Sequence, residues 1–482
     1  METSWVVLLL VGILSLTSQF DIIRAQGKPE YTLAFLGPAA ASEIPTRLAV
    51  EWESAFKVAV EVENAIPGRP YRLSPFEQES DCDWQQAYHG ADVIAKLDPQ
   101  TYAPVIGVVG PACSGAAMSS SSVVKTKNIS MVSFAATAEP ISADREWFDN
   151  LFRTVYSDKY QGQAIAASIA KLNMTAVTIL HTKQYYSMNL AQNINESVNG
   201  AIPVNVVMLE NSENSTIDFV QLQTVMDGLD PNNFVILCLH PQGAHDAFGY
   251  LNAQGRLDTP WWYFGTDGVT ALDPEDEDPA IVTKLIGEIG VAPFGGDYSN
   301  DSACQNYWDY WKAAEYPGLP AQGMAQSRSY TPYLLDAVKL YFQACDILWR
   351  ANTNITALNV WNTLKGGIPA FRGCTGWVAI DPLTGSRNTV VQPPVYDLVS
   401  FAQLDWEPKG RIENSQFLTL QPLQRPTTVT PGSSGKKSKT GAVVGAVFGV
   451  LIVAGLLIGG FMLWKKKQDN YYNPTSFVRT MH

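Results

Sequence analysis

Ser114 lies in the small-residue stretch Gly110-Pro111-Ala112-Cys113-Ser114-Gly115 that follows the β-rich run at 105–109, and a helix-compatible segment, AAMSSSSVVK, comes next. Such a loop at a strand end presents free backbone N–H groups and a hydroxyl to an anion, for example a ligand carboxylate. The same position equally suits a helix N-cap. After the run at 129–134, Ser133-Phe134-Ala135-Ala136-Thr137 again puts small residues and a hydroxyl at a strand end. Asp158 precedes a helical stretch with Gln161 three residues on, a capping-box spacing that favours a cap. Tyr186 follows the run at 177–181 and could stack on a ligand. Asp267, in Phe264-Gly265-Thr266-Asp267-Gly268, ends another such run; a carboxylate there suits an ammonium ion, and beside glycine it also suits a turn. Donors for a carboxylate early in the chain and carboxylates for an amine later are complementary to an α-amino acid.

The elements that must position these side chains alternate in type. Runs at 31–36, 105–109, 129–134, 177–181, 204–209, 234–239 and 261–264 read as buried strands, and helical periodicity intervenes, for example Trp52, Phe56, Ala59, Val60 and Glu63, or Leu334, Ala337, Val338, Tyr341, Phe342 and Cys345. Strands alternating with helices predict an α/β fold of parallel sheets with helices on both faces, where ligands sit beyond the strand C-termini.

Both ends of the 482-residue chain are apolar. The run at 5–16 is too short to span a bilayer and suits a signal-peptide core, with cleavage expected after Ala25. Residues 441–464 carry no charge; as a helix they reach about 36 Å, against a hydrocarbon core of about 30 Å. The expected plan is a signal peptide at 1–25, an extracellular part at 26–420, a Pro/Thr/Ser/Lys-rich stalk at 421–440, a span at 441–464 and a cytoplasmic tail at 465–482. That plan is a single-pass cell-membrane protein with its N-terminus outside. Gly441, Gly445 and Gly449 form a double GxxxG that suits dimerisation as readily as it suits chance composition.

From Lys436 onward seven Lys or Arg stand against one acid, so the net charge of −13 resolves into −1 in the signal segment, an outer part near −18 and a basic end of +6. An acidic outer part argues against nucleic-acid binding. Six sequons precede the span, at Asn128, Asn173, Asn195, Asn214, Asn300 and Asn354, and are candidate glycosylation sites. All six cysteines lie on the same side, as expected in an oxidising compartment, and no Cys/His spacing indicates a metal. Cys238, inside FVILCLH, reads as a buried free thiol, which leaves one further cysteine over or pairs it between chains. The cluster Asp273 to Pro279 lacks the spacing and glycine of a calcium loop and reads as a solvated acidic loop. No HExxH, GxSxG, Walker loop or GxGxxG occurs, so neither an enzyme nor a cofactor is expected, and the 18-residue tail leaves no room for a cytoplasmic enzyme.

The pieces GPACSG, SFAATAEPIS, LFRTVYSDKYQGQA, HTKQYYSMNLA, YFGTDGV and FRGCTGWVAIDPLTGSR occur in this order between about 30 and 400. With them the outer part resembles the type I periplasmic-binding-protein fold shared by leucine/isoleucine/valine-binding proteins and the extracellular domains of metabotropic glutamate, GABA type B and natriuretic peptide receptors. The FxGxTGxVxxD shape of the last piece is the most specific. The resemblance implies two lobes, the first at about 28–154 and 296–372, the second at about 155–295 and 373–420. It implies that Ser114 holds a ligand carboxylate with backbone help from Ala136 and Thr137, that the Thr137 hydroxyl, Asp158 and Asp267 face an ammonium, and that Tyr186 covers the ligand. It also implies a Cys82–Cys113 disulfide. Ser187-Met188-Asn189 stand where the family often has glycine and acid, Ala135 replaces a hydroxyl, and 357–364 offers no matching lysine, so a neutral amino acid or related amine is expected in place of glutamate.

The function expected is therefore a single-pass receptor or co-receptor that closes on a small ligand bearing a carboxylate and an amine, acting as a homodimer or with a heteromeric partner. A peptide-binding or clearance receptor, or an adhesion protein with an empty cleft, are the alternatives.

Overall fold

A computed structural model describes residues 27–38, 44–211, 216–229, 234–258, 262–294, 302–318, 330–402 and 405–423. The expected signal peptide, nearly all of the stalk, the span, its GxxxG glycines, the tail and the sequons at Asn214 and Asn300 lie outside these residues. Among the described residues no helix is long and apolar enough to cross a membrane.

The first sheet is built from β1 (Glu30–Gly37), β2 (Arg72–Glu79), β3 (Val105–Val109), β4 (Ser130–Ser133) and β5 (Leu151–Arg153), in the order β2-β1-β3-β4-β5 and parallel throughout. Alternation along β1 divides the lobe into two layers. Leu33 and Phe35 pack with the helices Thr46–Asn64 and Thr331–Arg350, whereas Ala34 and Leu36 face Trp84–Ala95 and Ser114–Lys125. Continuous apolar strands result because both faces are covered.

The second sheet contains β6 (Val177–His181), β7 (Val204–Met208), β8 (Phe234–Cys238), β9 (Trp262–Gly265), β10 (Ile289–Pro293), β13 (Val395–Ala402), β14 (Asp405–Glu413) and β15 (Gln416–Leu420). Its order is β15-β14-β13-β10-β9-β8-β6-β7; the half from β7 to β10 is parallel, and β13 to β15 add an antiparallel edge that strand-helix alternation does not predict. β7 is an edge strand with Val206 and Met208 exposed, not the buried strand expected.

Between β10 and β13 the chain returns to the first lobe. The hairpin β11 (Phe371–Gly373) and β12 (Gly376–Val378) belongs to that lobe's core through Phe371, Cys374, Val378 and Ile380, and re-entry into the second sheet comes at Val395, later than the expected crossing near 373. The hairpin motif braces the crossings. Buried Asp336 accepts from the Cys374 N–H at 2.5 Å and the Thr375 N–H at 3.0 Å. Arg387 lies over the Tyr156 ring at 5.0 Å and donates to the Trp377 carbonyl at 2.9 Å and the Thr154 carbonyl at 3.3 Å.

Cys82 and Cys113 are disulfide-bonded, as are Cys304 and Cys374. Cys238 is a buried free thiol; the cysteine left over is Cys345, also buried and free, so it is not placed for a bond to another chain.

Candidate functional site

The two sheets present their strand C-termini toward one another, and a cavity of about 50 Å³ lies between the lobes. Ser114, Cys113, Ala112 and Ala135 line it from the first lobe, and Tyr186, His240, Asp267, Gly268 and Ala271 from the second.

The loop that carries Ser114 begins at Gly110, with φ +99° and a position where a Cβ would stand 2.2 Å from the Leu36 carbonyl oxygen; only glycine lets β3 end against β1 there. The Gly110–Pro111 peptide is cis. Ser114 is the first residue of its helix and Cys113 the N-cap, with no side chain capping the end. The cap alternative for Ser114 is thereby overturned: its Oγ accepts from the Ala138 N–H at 3.2 Å, which leaves the hydroxyl proton and the first-turn N–H groups for an anion. The Ala136 N–H, expected to help with a carboxylate, already donates to Ser133 Oγ at 3.0 Å.

Asp158 is likewise not a cap. Ser157 caps the Asp158–Lys171 helix, and Gln161 turns to Asp267, donating from Nε2 to Oδ1 at 2.8 Å. Asp158 is wholly buried, and neither its carboxylate oxygens nor the buried Thr137 hydroxyl makes a hydrogen bond of normal geometry, although the two side chains are near enough to interact. Burial, then the charge of Asp267, holds the Asp158 carboxyl well above the usual carboxylate range, with Thr137 and Arg153 pulling it back. Arg153 is itself fully buried, which lowers its guanidinium to about 10, and it holds the ligand loop by donating to the carbonyls of Ala136 at 3.2 Å and Ala138 at 2.9 Å.

Asp267 opens a short helix whose N-cap is Thr266. Its approach depends on Gly268, where a Cβ would meet the Leu239 carbonyl oxygen at 2.2 Å. Besides Gln161, the hydroxyls of Tyr186 and Tyr330 donate to Asp267. Burial, then the charge of Asp267, pushes both phenols upward. Tyr186 also bonds the Thr266 hydroxyl at 2.9 Å and accepts from the Gly268 N–H at 3.1 Å, with His240 edge-on to its ring at 5.0 Å. Tyr186 is thus a buried anchor of Asp267 that also forms a wall of the cavity.

The structure brings Ser114, Tyr186 and Asp267 to the cavity; Thr137 and Asp158 are buried and are not among the residues that line it. Sequence reasoning missed Tyr330, Gln161 as a partner of Asp267, and the apolar wall of Ile44, Leu48 and Trp52. The helical spacing of Trp52 marked a buried face without saying what it faced. Nothing in the stretch before Tyr330 marked a contact with the other lobe. The acidic loop differs too: Asp273 and Glu277 are buried, paired with Arg47 and, at 2.8 Å, with His245 Nδ1, because each has a base within reach. The sequons at Asn128, Asn173, Asn195 and Asn354 are on exposed residues.

The sequence profile of a family described as the receptor family ligand binding region matches residues 51–389. Metabotropic glutamate receptor-like protein E of Dictyostelium discoideum is 24% identical over 402 residues, covering 80% of this chain and 47% of that protein. Glutamate receptor 3.4 of Arabidopsis thaliana is 23% identical over 266 residues, covering 54% and 26%. The chain thus spans less than half the length of either relative. Among solved structures, a leucine binding protein from Thermotoga maritima superposes with a TM-score of 0.58 at 14% identity, covering 82% of this chain and 99% of that one. A solute binding protein of an ABC transporter from Rhodopseudomonas palustris HaA2, in complex with p-hydroxybenzoic acid, gives 0.62 at 13%, covering 82% and 98%. At these identities the likeness is one of fold.

Proposed function

The chain belongs to the receptor family ligand binding region family, and from that premise we propose that its cleft binds a small amino-acid-like ligand. The observation that carries this reading is a buried pair of side chains, the Asp158 carboxyl and the Thr137 hydroxyl, whose oxygens make no hydrogen bond of normal geometry. Burying such groups unpaired costs about 1–3 kcal/mol each. A ligand ammonium supplies donors for Asp158, Thr137 and Asp267 together, and its charge offsets the two carboxylates. At the other end, the uncapped N-terminus of the Ser114–Lys125 helix and the Ser114 hydroxyl suit the ligand carboxylate. The binding step moves no covalent bond. Tyr186 and Tyr330 hold Asp267 toward the ligand, and Tyr330 reaches it from the opposite lobe, so the same contacts tie lobe position to occupancy.

We further read the chain as a single-pass receptor or co-receptor that signals by hinge closure through a dimer or partner, a role suggested by the apolar stretches at 5–16 and 441–464. It is not read as an enzyme. Calorimetric titration of the purified chain with a panel of amino acids, amines and benzoates tests the ligand class. Binding of compounds with both a carboxylate and an amine, lost on Asp267→Asn, is expected; binding indifferent to the amine overturns the reading.

A further inference from the structure

An ion pair joins the lobes close in the chain to residues that line the cleft. Arg47 lies in the first turn of the Thr46–Asn64 helix, between Ile44 and Leu48, both of which line the cavity. Asp273 lies two residues past Ala271, which lines the cavity from the second lobe. Arg47 Nε and Asp273 Oδ2 are 2.5 Å apart. The two ends are not equally solvated: the Arg47 side chain is 48% exposed, the Asp273 side chain 6%. Glu51, one helical turn on, puts Oε2 3.8 Å from the same guanidinium.

Two consequences follow. Parting the lobes would separate Asp273 from its cation, so the pair favours the closed arrangement. In that arrangement Arg47, set in the chain between two residues that line the cavity, already has two carboxylates beside it. A ligand with a second, distal carboxylate would have to shed water against Ile44, Leu48 and Trp52 and would meet a cation already neutralised. Selectivity here would come from withholding a partner, with no new attraction to the favoured ligand.

Building on the amino-acid reading above, we propose that Asp273 is a specificity-determining residue: by binding Arg47 across the cleft it latches the lobes over the ligand and denies that cation to a second ligand carboxylate. The site then takes amino acids with uncharged side chains and rejects dicarboxylic ones.

The test is titration of the purified full-length chain in detergent with L-leucine and L-glutamate, two probes of similar size. The wild-type chain is expected to bind leucine at least about tenfold more tightly. Asp273→Asn, close in shape, is expected to narrow that ratio by about tenfold, weakening leucine by loss of the latch and strengthening glutamate by removing one of the two carboxylates beside Arg47. Arg47→Gln should weaken leucine as well but leave glutamate weak, because it removes the cation. An unchanged ratio in Asp273→Asn, or glutamate gained equally by Arg47→Gln, overturns the proposal while the amino-acid reading stands. Failure of the wild-type chain to bind either probe overturns both.

Discussion

The backbone N–H of Asp158, at the start of a second-lobe helix, donates to the carbonyl of Thr137, in a first-lobe loop, at 2.9 Å, while the side-chain oxygens of the same two residues lie buried without a hydrogen bond of normal geometry. The backbone bond fixes the spacing of an orphaned hydroxyl and an orphaned carboxylate. Their raised free energy is available to any cation that bonds to both, and the predictions below rest on that.

Asp158→Asn should abolish amine-dependent ligand binding and, at pH values where the carboxyl is ionised, stabilise the ligand-free chain by about 1–3 kcal/mol, since a neutral amide is cheaper to bury than a charge. Thermal melts with and without ligand check both halves. A variant less stable than wild type at every pH would show that Asp158 is already paired.

The same residue gives the pH dependence its sign. Its folded-state carboxyl lies above its unfolded value of about 3.9, so the native chain binds the proton more tightly. This contribution to stability falls as pH rises from about 3.9 to the raised value, then levels off. Ligand binding, which needs the ionised form, should expel a proton below that raised value, and affinity should rise by up to about tenfold per pH unit. Calorimetry in buffers of different ionisation heat reads the released proton, and Asp158→Asn should remove the slope.

Tyr330→Phe deletes a hydrogen bond to Asp267 that crosses the cleft. A bond to a charged group is worth about 1.5–3 kcal/mol, so ligand affinity should fall about tenfold or more with little change in the helix content read by circular dichroism. Tyr186→Phe, which acts within one lobe, should cost stability as well as affinity.

Gly268→Ala would place a Cβ 2.2 Å from the Leu239 carbonyl oxygen and 3.3 Å from the Tyr186 ring. The backbone beside Asp267 must shift, costing about 1–3 kcal/mol and most of the ligand affinity. Gly249→Ala, where a Cβ meets nothing within 4 Å in the middle of a helix, is the matched control and should be neutral or stabilising by up to about 1 kcal/mol. Equal losses in the two variants would argue against the close approach at Gly268.

The family pieces and the strand-helix rhythm were legible because they are local. Runs such as VIGVV and VTILH are apolar throughout since both sheet faces are covered, and each ends at a small-residue or polar loop that the chain itself marks. The antiparallel edge β13 to β15 was not legible, because it joins a sheet whose other strands lie far back in the chain.

The sequence alone carries an acidic stretch ahead of a basic end, an even set of cysteines, α/β lobes, and the residue types complementary to an amino acid at Ser114, Thr137, Asp158, Tyr186 and Asp267. Tertiary structure decided what each of them does. Asp158 looked like a cap until Ser157 took that role and burial left its carboxylate orphaned; Gln161 looked like its cap partner until it reached Asp267. Tyr330 and the Arg47–Asp273 pair acquire meaning only when two lobes approach. Hydrogen bonds and desolvation depend on which groups share a cleft, and residues 226 apart in the chain, as Arg47 and Asp273 are, meet only through the fold.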